Sequence, residues 1–204
     1  MQITRRAIAM TFTQKLTFAD YLALEDTGIE GRAELIEGEL IALPPEAGLN
    51  LDIAAFVYIA LVGLGIPYPL IQMGRCEVQT PVLAPKDAAN RFPDLVVLRP
   101  EHRALTRQRM TITLEMPPPL WVMEVVSPGK TNRDRDYIRK RAQYAAVGIP
   151  EYVIVDPEEQ AVLVLRLEQG EYIEAGRYAG DCLLQSPTFP ALNLTAAQIL
   201  SAGQ

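Results

Sequence analysis

The 204-residue chain holds two cysteines, Cys76 and Cys182, and a single histidine, His102. Two cysteines cannot build a disulfide framework or a four-cysteine zinc site, and one histidine leaves no His-rich metal site. A Cys/His pair or a Ser/His/Asp triad is close to excluded, since His102 would have to serve alone. Long apolar runs are missing too. The longest, Ile53 to Ile66, falls short of the roughly 20 residues needed to cross a bilayer. The apolar stretch behind Arg5 and Arg6 is too short and too interrupted for a secretory h-region. A cytoplasmic chain with reduced thiols is the expectation. Nor is there an excess of positive charge: the formal net charge of −6 argues against a protein that coats nucleic acid through overall basicity.

What remains is ample core material, with 49% hydrophobic and 22% charged residues, and a length that suits one α/β domain. Residues 1–16 read as a flexible N-terminal segment and 17–204 as a single domain. Thr17 and Asp20 offer an N-cap for a short helix that should end near Thr27-Gly28. ELIEGELIAL, Glu34 to Leu43, carries two apolar stretches around Glu37-Gly38 and reads as a hairpin. Leu51 to Leu64 reads as a buried helix. Strands are expected at Leu70–Met73, Cys76–Leu83, Pro93–Leu98 and Leu120–Val126, then a basic helix from Asn132 to Val147 closed by Gly148. Further strands should cover Glu151–Val155, Ala161–Leu167 and Glu171–Tyr178, before a short helix at Thr195–Leu200. Glu101 to Pro119, with three arginines and a three-proline run, reads as a mobile loop or flap. The fold class is therefore α/β: a mixed sheet flanked by the 51–64 and 134–147 helices, with extra strands on the C-terminal side.

Charge is unevenly placed. Between Arg91 and Arg141 stand 11 Lys or Arg against 6 Asp or Glu. Six of these cations, Lys130, Arg133, Arg135, Arg139, Lys140 and Arg141, fall within twelve positions. They form either a solvated helix face or a local phosphate-facing patch, since a polyanion needs clustered cations and not net charge.

Two carboxylates look out of place. In LWVMEVVSP, alternation puts Glu124 on one face with Val122 and Val126, and in RFPDLVVL, Asp94 opens a nearly continuous apolar strand. A carboxylate there is costly unless paired, protonated or bound to a cation. If the two strands pair, their backbones lie about 4.8 Å apart, and both carboxylates can converge on one divalent ion at roughly 2.1 Å per oxygen. The plainer alternatives are an Asp that caps a strand and a Glu held by an arginine. In the helix that follows, Asp136, Lys140 and Tyr144 share one face at i, i+4 and i+8. Lys140 is either half of a surface ion pair with Asp136 or the third member of an Asp94, Glu124, Lys140 trio, able to orient a water and offset charge on a phosphate.

Pro93-Asp94, Glu124 on a strand about 30 residues on, and then a basic helix resemble the PD-(D/E)XK nuclease superfamily. More closely, RAELIEGEL (Arg32–Leu40), RFPDLVVL (Arg91–Leu98), MEVVSP (Met123–Pro128), the Asp136, Lys140, Tyr144 spacing and GIPEYVIVDP (Gly148–Pro157) are similar to the Uma family of restriction-endonuclease-like proteins. The resemblance runs from Thr17 almost to the end. It implies a restriction-endonuclease-like core, a magnesium-dependent phosphodiesterase site and dimers. The superfamily pattern places a lysine two residues after the glutamate, where this chain has Val126. The resemblance implies that Lys140, on the following helix, takes that part, and it makes Glu34 the candidate fourth acidic residue, the alternative being an exposed hairpin glutamate.

The expected function is a metal-dependent DNA endonuclease. Asp94 and Glu124 would hold Mg²⁺ or Mn²⁺, Lys140 would assist the attacking water, and Arg133, Arg135 and Arg139 would position phosphates. Its competitor is a catalytically silent nuclease fold that binds nucleic acid or a protein partner. A homodimer is expected from the resemblance and from the apolar late strands AVLVLRL and EYIEAGRY.

Overall fold

The computed structural model describes residues 15–202, so most of the expected N-terminal segment 1–16 lies outside the described residues. Of its last two residues, Leu16 donates its N–H to the carbonyl of Gly38 at 2.9 Å. Helix α1 (Phe18–Ala23) opens with the reciprocal Thr17/Asp20 capping box. It stops before the expected Thr27-Gly28, because Leu24 is already extended and Asp26 accepts the N–H of Gly28 in a tight turn at 2.8 Å.

Strands β1 (Ala33–Ile36) and β2 (Glu39–Ala42) form the expected hairpin. Its two turn residues, Glu37 and Gly38, both have positive φ, 52° and 85°, which matches the twist of the flanking strands. A side chain on Gly38 would meet the Cβ of Lys15 at 2.6 Å, so this turn also anchors the incoming chain.

Helix α2 (Gly48–Gly63) starts three residues ahead of the expected Leu51. The main sheet has six strands in the order β11-β10-β9-β8-β6-β3. These are β3 (Ile71–Met73), β6 (Leu95–Val97), β8 (Trp121–Val125), β9 (Glu151–Asp156), β10 (Ala161–Glu168) and β11 (Glu171–Tyr178). Within this sheet β8 and β9 are the one parallel pair, joined through the basic helix as a parallel pair requires. A smaller sheet pairs β5 (Asn90–Arg91), β4 (Glu77–Gln79) and β7 (Thr111–Ile112). The expected strand at Cys76–Leu83 thus shrinks to three residues outside the main sheet, cut short before Pro81, which has no N–H for a ladder.

Period-2 alternation along β8 divides the core. Trp121, Met123 and Val125 pack with Ile53, Val57 and Leu61 of α2 and with Ile199 and Leu200 of the last helix, α6 (Ala196–Leu200). Val122 and Val126 pack on the other face with Tyr144, Ile149 and Tyr152. The two helices expected to flank the sheet do so from opposite sides. Between β6 and β8, the expected flap proves structured. It contains α3 (His102–Leu105) and β7. His102 is fully buried, its Nδ1 accepting the N–H of Arg99 at 3.1 Å and its Nε2 2.8 Å from the carbonyl of Pro117. The lone histidine is a fastener for this connection. Among the described residues no helix is long and apolar enough to cross a membrane.

Candidate active site

The β6–β8 register pairs Leu95 with Met123 and Val97 with Trp121, so one step further Asp94 stands opposite Glu124. Asp94 Oδ2 accepts the N–H of Val125 at 2.7 Å, which ties it to the end of β8. The two carboxylates expected to share an ion therefore do face each other across adjacent strands, Asp94 one residue before β6 and Glu124 within β8, and both are buried. Burial first, then the charge of Glu124, pushes the Asp94 carboxyl well above its ordinary value, against the opposing pull of Lys140 and of the Val125 N–H. Burial raises Glu124 as well, with Lys140 acting against the rise.

The basic helix delivers the third member. It runs as α4 (Lys130–Asp134), a π-helical turn over Arg135–Lys140, and α5 (Arg141–Val147). Gly148 ends it at φ 89°, with Gly148 and Ile149 N–H groups returning to the carbonyl of Tyr144. Lys140 Nζ lies 2.7 Å from Glu124 Oε2 and 2.8 Å from Asp136 Oδ1, and the Tyr144 hydroxyl donates to Glu124 Oε1 at 2.6 Å. Burial works against the charge on Lys140, but Asp136 and Glu124 outweigh it and hold the ammonium above its ordinary range. This is a buried ion pair and not the surface pair that was the alternative. The contact to Asp136 is out of hydrogen-bond alignment, and both Asp136 oxygens are buried with no hydrogen bond. Such a carboxylate is expensive and depends on Lys140 for its compensation.

Glu34 is not an exposed hairpin glutamate. It is buried on β1 and pairs with Arg91 at 2.9 Å. Arg91 in turn donates to Gln143 Oε1 at 2.9 Å, and the Gln143 amide reaches the carbonyls of Pro81 and Ala88, each at 2.8 Å. Glu34 is thus wired to α5, and its charge bears on Arg135 beside the Glu124–Lys140 pair. The three arginines expected to position phosphates are engaged unequally. Arg133 pairs with Asp156 and Glu159, and Arg139 with Asp87, whereas Arg135 approaches only Asp136, at 3.5 Å.

Three further residues at the site carried no legible signal of chemistry. Asn50 of α2 donates to the carbonyl of Val125 at 3.2 Å and to Ser127 Oγ at 3.1 Å. Its position on the buried stripe with Ile53, Ala54, Val57 and Leu61 was the clue to be had. Arg32 and Glu46, paired at 2.8 Å, line with Asn50 and Asp94 a cleft of about 130 Å³. The Glu46 charge also raises Asp94.

Among the described residues no three Cys, His, Asp or Glu side chains gather into a metal-binding group. The donor chemistry still suits magnesium. Asp94 and Glu124 offer hard oxygens, and this ion is commonly held by one or two carboxylates, with water and substrate phosphate completing its shell. Two buried carboxylates, both raised by burial and Asp94 further by the charge of Glu124, are what a divalent cation would relieve.

A crystal structure described as "a putative nuclease belonging to DUF820", from Anabaena variabilis ATCC 29413, matches with a TM-score of 0.64 at 21% identity, covering 92% of this chain and 98% of that one. At that identity the likeness speaks for the fold. No curated protein matches the chain. The family model described as "Uma2: Putative restriction endonuclease" matches residues 18–197, a span that holds Glu34, Asp94, Glu124, Asp136, Lys140 and Tyr144, and by that match the chain belongs to the Uma2 family.

Proposed function

We propose that this Uma2 chain is a divalent-metal-dependent endonuclease that hydrolyses DNA phosphodiester bonds. The observation that carries the reading is the meeting of Asp94 and Glu124 across β6 and β8, with Lys140 seated 2.7 Å from Glu124. Asp94 and Glu124 would hold Mg²⁺ or Mn²⁺, which when bound lowers the pKa of a water and offsets charge on the phosphate. Lys140 contributes a fixed positive charge at the end of β8, where it can orient the attacking water and stabilise negative charge that grows in the transition state. Tyr144 and Asn50 hold the Glu124 carboxylate and the Val125 carbonyl, so the end of β8 is preorganised before substrate arrives. Glu34 acts at one remove, through Arg91 and the helix. Arg133, Arg135 and Arg139 lie on the helix that would face the phosphates.

Purified protein incubated with a mixed set of DNA substrates and Mg²⁺ or Mn²⁺ should cleave, and Asp94→Asn and Glu124→Gln should each abolish cleavage. Full activity in Glu124→Gln would refute the assignment. A wild type that binds metal and DNA without cutting under either ion would favour the silent binding module, a reading to which the clasp of Lys140 by two carboxylates lends support.

The reading places the chain in the cytoplasm, in keeping with two free cysteines, and as a homodimer. Edge strand β11 presents a largely exposed face through which a second copy could pair. Sedimentation at micromolar concentration should show a species of twice 22.6 kDa; a monomer alone would count against the dimer.

A further inference from the structure

We infer that Arg135 is the residue that holds a DNA phosphate beside the Asp94–Glu124 pair, while Arg133 and Arg139 fasten the helix. The inference rests on the nuclease reading and divides roles among three arginines that look equivalent in sequence. Arg133 is spent. It lies 3.0 Å from Asp156 Oδ2 and 3.1 Å from Glu159 Oε1, over the ring of Tyr137. Arg139 donates to Asp87 Oδ1 at 3.0 Å and to the carbonyl of Pro85 at 3.1 Å, while Asp87 Oδ2 accepts the N–H of Ala84 at 2.9 Å. Asp156 and Asp87 are buried, so a phosphate that recruited either arginine would leave a buried carboxylate without its cation.

Arg135 is placed differently. Its Nε is buried without a hydrogen bond and stands 3.5 Å from Asp136 Oδ1, yet about a third of the side chain is open, at 34% exposure. The carboxylates of Asp136, Glu124 and Glu34 all act on its charge. The π-helical turn explains the placement. Residues five apart in an α-helix point about 140° away from one another at 3.6 residues per turn. Within a turn that closes i→i+5 bonds they come round toward one face, and Arg135 and Lys140 both stand against Asp136 Oδ1, at 3.5 and 2.8 Å.

A phosphodiester that approaches this cluster meets the carboxylates of Asp94, Glu124 and Asp136 and needs a cation between. Lys140 is enclosed between Glu124 and Asp136 at 7% exposure. Among the cations of the basic helix, Arg135 is the one beside this clasp with access to solvent, and its planar fork suits two phosphate oxygens.

The test is fluorescence anisotropy of a short DNA duplex titrated with full-length protein between about 50 and 200 mM salt. Calcium replaces magnesium, so that binding is read apart from cleavage. Arg135→Gln keeps a donor for Asp136 and removes the charge. It should weaken binding about tenfold and lower the slope of log K against log salt by about one, and Arg135→Lys should restore the slope. Arg133→Gln and Arg139→Gln should keep the wild-type slope while lowering Tm. Unchanged binding in Arg135→Gln, or an equal loss of slope in all three glutamine variants, overturns the inference and leaves the nuclease reading standing. A wild type that binds no duplex overturns both.

Discussion

Lys140→Met should lower the stability of the metal-free protein by about 3–5 kcal/mol, a fall in Tm of roughly 10 °C for a chain of this size. Methionine keeps the length of the stem and removes the ammonium. Glu124 and Asp136 are then left buried without the cation that lies 2.7 and 2.8 Å from them. Asp136 suffers most, since neither of its oxygens has a hydrogen bond to fall back on. In the wild type the ammonium is held above its ordinary value of 10.5, the two carboxylates prevailing over burial. Its contribution to stability is thus complete below pH 10.5 and is lost only as pH rises through the higher folded value. Urea and thermal melts at neutral pH read the effect, and a loss under about 1 kcal/mol would mean that the pair is no better than a surface contact.

Asp94→Asn should act in the opposite direction and stabilise the metal-free chain by about 1 kcal/mol, as happens when a strained functional group is neutralised. Asparagine retains a carbonyl oxygen for the N–H of Val125 and removes a charge that burial and Glu124 both oppose. The pH dependence follows from the raised carboxyl. The folded chain keeps its proton through a window in which the unfolded chain, near 3.8, has released it. The Asp94 contribution is therefore full below that value and is lost as pH rises through the folded one. The variant has no such loss, so its Tm advantage in EDTA should widen from pH 4 to neutrality. Magnesium should raise the Tm of the wild type, because a ligand confined to the native state stabilises it, and should leave Asp94→Asn unmoved. A variant less stable than wild type at neutral pH, or one that responds fully to magnesium, would contradict the proposed part of Asp94.

These effects arise from positions whose chemistry was partly legible in the sequence. Glu124 and Asp94 stood out because each interrupts an apolar strand, and strand alternation alone gives Glu124 its face. Helical spacing likewise joins Asp136, Lys140 and Tyr144. What spacing could not reveal is depth. The same i, i+4 pattern describes a surface pair and the buried clasp on Glu124, and only the packing of α4 and α5 on the sheet decides between them. The π-helical turn is likewise silent in sequence, although it sets the direction of Arg135. Arg133, Arg135 and Arg139 looked alike because the partners that occupy Arg133 and Arg139, namely Asp156, Glu159 and Asp87, lie elsewhere along the chain. Glu34 finds Arg91 across 57 residues, a pairing no local pattern contains. The 101–119 segment misled for a related reason. Its arginines and prolines have the composition of a loose loop, yet a buried histidine and a strand of two residues pin it down.

The most direct measurement of the central claim is anomalous scattering from crystals of the wild-type protein soaked in Mn²⁺. The account predicts one strong peak at the end of β8, about 2.2 Å from a carboxylate oxygen of Asp94 and from one of Glu124, with Lys140 still beside Glu124. Bound manganese at other residues, or Asp94 and Glu124 without manganese at saturating concentration, would contradict it.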